Sequence, residues 1–259
     1  MPRQARVKSR SGVYHVMLRG ANKQEIFHDD EDCIRFLDTI ERYKIKSQMQ
    51  VFAWCLMNNH VHLLLKEGNE DISITMKRIG VSFVSYYNQK YNTVGHLFQD
   101  RFRSENVESR RYLLTVVRYI HQNPVKAGIV NKVDAWRWSS CPTYYSESPV
   151  SDRLLDRAFV LSLFSTNLKV AMAEFKVFNE KKNDDDCLDD KVNERRRLTD
   201  EEARLEIIQL LGGLDIAQVK ALPRLNRNNV LRKVKAVEGI SNRQAARILG
   251  VSPNLIFKA

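Results

Sequence analysis

The hydropathy pattern of the first 145 residues changes period several times, and each change marks an element. Tyr14-His-Val-Met-Leu-Arg19 is a short β-prone run that stops at Gly20. Asp29 or Asp30 can then cap a helix over about 31–46, where Cys33, Phe36, Leu37, Ile40 and Tyr43 recur at helical spacing. Gln50 to Leu56 reads as a strand. Met57-Asn-Asn59 interrupts it and His60-Val-His-Leu-Leu-Leu65 resumes it, which is the pattern of a hairpin. Ile72, Met76, Ile79, Phe83 and Tyr86/Tyr87 return to helical spacing over 72–90. The mixed basic stretch from His96 to Val107 has room for one more short strand. A third helix is expected from about 109 to 121 or 123, with Pro124 limiting its extension. Trp136 and Trp138 straddle Arg137, as in a segment laid across a core. This order predicts an α+β fold: a ferredoxin-like antiparallel sheet with helices packed on one face.

The remainder reads differently. Residues 151–178 are moderately apolar and predict a helical extension, whereas Asn179 to Asp190 is polar and acid-rich with little to bury, the composition of a linker. Thr199-Asp-Glu-Glu202 has the form of a helix cap and acidic first turn, leading through Leu205, Ile208 and Leu211 to Gly212-Gly213. In the last stretch, Ala245, Ala246 and Leu249 lie on a helix that Gly250 ends, Val251-Ser252 turns the chain, and Pro253 opens another helix. That is helix-turn-helix spacing, with small residues where two helices approach. The organisation expected is therefore 1–150 as the main domain, 151–178 as a helical extension, 179–194 as an acidic linker, and 195–259 as a small all-α, DNA-binding-like domain.

Charge narrows the partners. The formal net charge is +11, and residues 1–150 carry 22 Lys/Arg against 15 Asp/Glu while the rest carries 20 against 16, so both halves attract polyanions, of which nucleic acid is the commonest. No apolar run approaches the roughly 18 residues of a membrane span. Met1 to Arg10 is basic without the apolar stretch of a signal peptide, so a cytoplasmic location is expected. Cys33, Cys55, Cys141 and Cys187 are widely spaced, which argues against a disulfide framework or a cysteine-type zinc site.

The candidate chemistry sits in two places. Residues two apart on a strand share a face, so His60 and His62 present two imidazoles side by side, two thirds of a divalent-metal site. Taken alone, such a pair is more often two satisfied polar histidines at a sheet surface. On the third helix, Tyr119 and Asn123 are one turn apart and share a face, so Asn123 can offer a carbonyl oxygen beside the Tyr119 hydroxyl. His121 points elsewhere and competes as third ligand only if the helix frays. Arg19, Lys23, Arg101, Arg103 and Arg118 are candidates for phosphate contacts, as is Asn254 in the last helix. Phe98, Phe102, Tyr86 and Tyr87 could stack on unpaired bases, although helical spacing turns the tyrosines toward a core.

Leu56-Met-Asn-Asn-His-Val-His-Leu-Leu-Leu65 resembles the histidine–hydrophobe–histidine motif of the Y1 transposases, the single-tyrosine HUH enzymes. Arg118-Tyr-Ile-His-Gln-Asn-Pro-Val-Lys-Ala-Gly128 is similar to the family's catalytic-tyrosine helix, and Gly95-His-Leu-Phe-Gln-Asp-Arg-Phe-Arg103 resembles a block of the subgroup linked to repetitive extragenic palindromes. The resemblance covers about residues 8–145. It implies a DNA endonuclease and strand-transferase with Tyr119 as nucleophile and Mg²⁺ or Mn²⁺ at His60, His62 and a third polar ligand. The insertion-sequence branch often carries Gln at the position of Asn123 and works as a dimer, which the palindrome-associated branch need not. The implied partner is single-stranded DNA with hairpins, bound by a monomer or homodimer. The terminal domain, more loosely similar to the helical domain ending replication initiators, could add double-stranded DNA. Two other readings are a non-catalytic DNA-binding regulator using that domain and an RNA-directed metal nuclease.

Overall fold

Strand β1 (Val13–Arg19) is buried along all but its last residue because it runs inside a four-stranded antiparallel sheet, ordered β2-β3-β1-β4. The partners are β2 (Gln50–Met57), β3 (His60–Lys66) and β4 (Arg103–Asn106). The chain is described by a computed structural model over residues 6–147, 153–185, 187–188, 198, 200–237 and 239–259. It divides into two units, Met1–Leu188 and Asp189–Ala259. Thr199, and the boundaries expected near 150 and 194, lie outside the described residues.

Register decides what the sheet displays. Met17 is opposite both His62 and Arg103, Cys55 is opposite His62, Arg19 is opposite His60, and His15 is opposite Glu105. Directly opposed residues share a face, so His15, Met17, Arg19, His60, His62, Arg103 and Glu105 all project from one side. The other side is apolar and is covered by α1 (Asp30–Ser47) and α2 (Ile72–Lys90), whose Phe36 and Phe83 meet edge to face at 5.0 Å. This is the expected ferredoxin-like sandwich. The expectation of helices on one face alone is corrected by helix α3 (Arg110–Lys126), which adds a layer on the histidine face, where small Ala53 and Cys55 of β2, both wholly buried, let it approach.

The α1–α2 pair is locked by one carboxylate. Asp29 caps α1, and Asp32 in its first turn is fully buried, accepting from the His28 N–H, Lys90 Nζ and the hydroxyls of Tyr86 and Tyr91. Burial opposes its charge, but these donors outweigh it and hold the carboxyl below its ordinary range. Asp32→Ala leaves Tyr86 and Tyr91 without their shared acceptor, while Lys90 keeps Asp29 and Glu31, and is expected to cost about 1–3 kcal/mol in a denaturant titration. In the wild type this contribution is complete above the unfolded-state value of about 3.9 and is lost as pH falls through the lower folded value.

Helix α3 runs one turn further than Pro124 predicts. Proline there removes only the bond its own N–H would make to Ile120, and the helix closes beyond it through Ala127 N–H to Asn123 O and Gly128 N–H to Val125 O. The extra turn carries Lys126. The tryptophan segment lies along β2 as expected, with Trp136 Nε1 donating to Leu56 O and Leu56 N–H to Trp138 O.

After α4 (Cys141–Tyr145) and α5 (Arg157–Leu161), α6 (Leu168–Glu180) packs on α3. The start of the acid-rich stretch is not a linker in the structure. Asn183 donates to Gln122, Asp185 makes two hydrogen bonds to Arg118, and Cys187 is buried. Composition hides this because the stretch contributes partners for α3 rather than apolar area.

The second unit holds α7 (Asp200–Leu211), a 3₁₀ turn (Ile216–Ala221), α8 (Arg224–Lys235), α9 (Asn242–Leu249) and α10 (Pro253–Lys258). Ile207, Val219, Leu231, Val234, Leu249 and Ile256 form its core with Ala245 and Ala246. Ser241 caps α9, and Gly250 ends it at φ 64°, a left-handed position that suits glycine. Pro253 opens α10, so the helix-turn-helix spacing is realised.

Candidate active site

Strand β3 sets His60 and His62 on one face with ring centroids 5.1 Å apart and planes at 86°. The hairpin tip before them is anchored, since Asn58 and Asn59 carbonyls accept from Ile26, Phe27 and Gly20. Gly20 is needed at this crossing because a Cβ there would lie 2.1 Å from the Gln24 carbonyl oxygen. Asn59 Nδ2 donates to Lys23 O, which turns its side-chain oxygen to His60 Nδ1 at 2.7 Å. The His60 proton is therefore on Nδ1 and the lone pair on Nε2. His62 is 1% exposed, and its Nδ1 lies 3.0 Å from Nε2 of a third histidine, His15 of β1. Burial, with His60, His15 and Arg19 around it, holds His62 well below the ordinary histidine range, so its ring is neutral at pH 7.

Helix α3 brings the tyrosine. Ser109 caps it by accepting from the Tyr112 N–H, and the apolar stripe of Leu113, Val116, Val117 and Ile120 fixes its rotation on the sheet. The Tyr119 ring then stands edge-on to His62 at 5.7 Å and to His15 at 5.8 Å, and is 4% exposed. Asn123, half-buried, follows one turn later, and Lys126 Nζ lies 5.2 Å from the Tyr119 ring centre. His121 faces the opposite side, bonded to Asn179 and Ser140, and burial pulls it to about 4. That position takes it away from the histidine pair.

The structure thus brings His60, His62 and Tyr119 together, with Asn123 on the same helix stripe. Arg19 and Arg103 project from the same sheet face, and Lys23 lies beside the hairpin tip. Arg118 is drawn inward instead: its guanidinium pairs with Asp185 at 2.7 Å and lies 4.2 Å from the Phe178 ring centre, so it serves the α3–α6 packing. Arg101 lines a separate cleft of 950 Å³ with Arg6, Phe98, Phe102 and α2. Tyr86 and Tyr87 belong to the α2 core network, and Asn254 is exposed in the first turn of α10. Sequence reasoning passes over His15, Glu105 and Lys126. The signal for Lys126 is its place two helical turns after Tyr119; the signal for the other two is strand register, which a single sequence does not supply.

The donor set fits a divalent ion. Both motif imidazoles have their Nδ1 atoms within hydrogen-bond distance of another side chain, so Nε2 is the nitrogen through which each would hold an ion. Among the described residues no group of three or more His, Cys, Asp or Glu could hold a metal. A third protein ligand must then be of another type, such as the Asn123 amide oxygen.

A histidine pair on a ferredoxin-like sheet is thus faced by a helix-borne tyrosine. Residues 8–123 match the family model "Transposase IS200 like". The REP-associated tyrosine transposase of Escherichia coli (strain K12) is 28% identical over 103 residues, 39% of this chain and 59% of that protein. A Haemophilus influenzae relative is 27% identical over 117 residues, 40% of this chain and 64% of its own length. The chain therefore spans about three-fifths of the curated relatives it matches. A solved structure of "the REP associates tyrosine transposase bound to a REP hairpin" is 21% identical, with a TM-score of 0.48, covering 61% of this chain and 90% of that one. Among the described residues no helix is long and apolar enough to cross a membrane.

Proposed function

We propose that this chain is a metal-dependent tyrosine endonuclease and strand transferase that cuts single-stranded DNA at hairpins. The observation that carries the reading is the Tyr119 ring, 5.7 Å from the His62 ring over one sheet face. Hairpins are the proposed substrate because the Gly95–Arg103 block resembles that of transposases linked to repetitive extragenic palindromes, and a palindrome folds back when single-stranded. A divalent ion, Mg²⁺ or Mn²⁺, bound by His60, His62 and the Asn123 amide would supply charge stabilisation at the non-bridging oxygens of the scissile phosphate. Tyr119 Oη attacks phosphorus while the 3′-oxygen leaves and takes up a proton, giving a 5′-phosphotyrosine and a free 3′-hydroxyl. A tyrosine hydroxyl is a weak nucleophile while protonated, so the proposed attack requires a base or the ion to assist loss of its proton. The covalent bond keeps the phosphodiester energy, so the 3′-hydroxyl of another strand can displace Tyr119 without a nucleotide cofactor. Arg19, Lys23 and Arg103 steer the backbone toward this face, and the cleft holding Arg101, Phe98 and Phe102 suits an unpaired base. The second unit, through α10 and Asn254, adds a contact to double-stranded DNA. One chain supplies both histidines and the tyrosine, so a monomer carries the whole set.

Incubating the protein with hairpin oligonucleotides and Mn²⁺, then mapping DNA-bearing peptides by mass spectrometry, tests the reading. The expected product is a 5′-phosphate on Tyr119. Binding with no adduct, across hairpins drawn from the DNA flanking the gene, would leave the chain a non-catalytic regulator.

A further inference from the structure

His15 is fully buried, yet its Nδ1 has no hydrogen-bond partner; Glu105 Oε2 lies 4.0 Å away, itself buried and without a hydrogen-bond partner although the Glu105 side chain is 38% exposed. Its other nitrogen meets His62 Nδ1 at 3.0 Å. Two neutral imidazoles facing each other at that distance hold one proton between them, and the proton has two possible owners. If His15 Nε2 carried it, His15 Nδ1 would turn a lone pair on a carboxylate oxygen in a buried space. If His62 Nδ1 carries it, the His15 proton sits on Nδ1 and points toward the Glu105 carboxylate, a favourable electrostatic alignment at 4.0 Å that is too long for a hydrogen bond. The carboxylate also faces Tyr112, whose hydroxyl, buried beside this negative group, has its ionisation pushed up. We propose that Glu105 and His15 are positioning residues that fix the tautomer of His62, so that the line Glu105–His15–His62 presents the His62 Nε2 lone pair to a divalent ion.

The device rests on the reading of His62 as a ligand, but its first step can be observed without metal. Outer partners of ligating histidines set which nitrogen binds, and losing them weakens metal affinity about 10–100-fold. Glu105 is the informative position because Glu105→Gln keeps the shape while its amide can donate to His15 Nδ1, permitting the reversed arrangement. Long-range ¹H–¹⁵N spectra of the metal-free full chain are expected to show His62 protonated on Nδ1 in the wild type. Glu105→Gln should move population to the Nε2-protonated form and weaken Mn²⁺ binding about 10–100-fold at nearly unchanged thermal stability. His15→Phe should lose Mn²⁺ affinity as well, and His15→Gln, which can accept from His62 and donate to Glu105, should restore it to within a few-fold. His62 protonated on Nε2 in the wild type, or Glu105→Gln with both tautomer and Mn²⁺ affinity unaltered, would overturn the proposal. Neither result depends on DNA cleavage, so an inactive nuclease and an absent relay are told apart.

Discussion

Tyr119→Phe is expected to remove the covalent protein–DNA adduct, lowering cleavage by at least about 10³-fold, while hairpin affinity changes less than about twofold. The substitution deletes one oxygen and keeps the ring that stands against His15 and His62. Packing on the histidine face is thus preserved, and the stability change should stay within about 1 kcal/mol. On the proposed reading, phosphate affinity comes from basic side chains such as Arg19 and Arg103 on the sheet rather than from Tyr119, which is 4% exposed. Gel resolution of ³²P-labelled hairpins after denaturation, with binding measured in parallel, separates the two effects. Cleavage surviving in Tyr119→Phe would mean that water or another hydroxyl attacks the phosphate, and the strand-transfer half of the proposed chemistry would fall with it.

Local pattern carried the architecture because each element of the first unit satisfies its own period. Asp29 caps where the helical spacing begins, and Ile72, Met76, Ile79 and Phe83 all face the core of α2 as their spacing implies. The helix on the histidine side follows from the same logic once Tyr119, Val116 and Ile120 are seen to be buried together. Pairing across the sheet was not legible. His15 and His62 lie 47 residues apart, and their contact depends on a register that puts Met17, not His15, directly opposite His62. Glu105 is a further step away, on the other side of β1, so the polar line crosses three strands. The stretch 179–187 misled for a different reason: Asn183 and Asp185 are polar on any scale, and only the position of Gln122 and Arg118 makes them structural. Proline misled at 124, where one missing ladder bond in a terminal turn is too small a loss to stop a helix held down by its neighbours.

The two motif histidines should respond differently to the same substitution. His60 is half-buried at the mouth of the hairpin and its outer partner is the neighbouring Asn59 side chain, whereas His62 is 1% exposed and bonded to a buried histidine. His60→Ala removes one imidazole from the proposed ion and is expected to lower Mn²⁺-dependent cleavage about 10³-fold with a stability change near 1 kcal/mol or less. His62→Ala should lower cleavage as much and, in addition, cost about 2–4 kcal/mol, because it opens a cavity beneath Tyr119 and strips His15 of its remaining partner. Denaturant midpoints read the stability term in metal-free buffer, and Mn²⁺ titrations at saturating DNA read the other. If both variants lose stability equally and retain cleavage once folded, the pair is a structural feature of the sheet. A shared loss of metal-dependent cutting with unequal loss of stability is the signature of two ligands, one of them also built into the core, and it follows from strand alternation with burial that differs along a single edge.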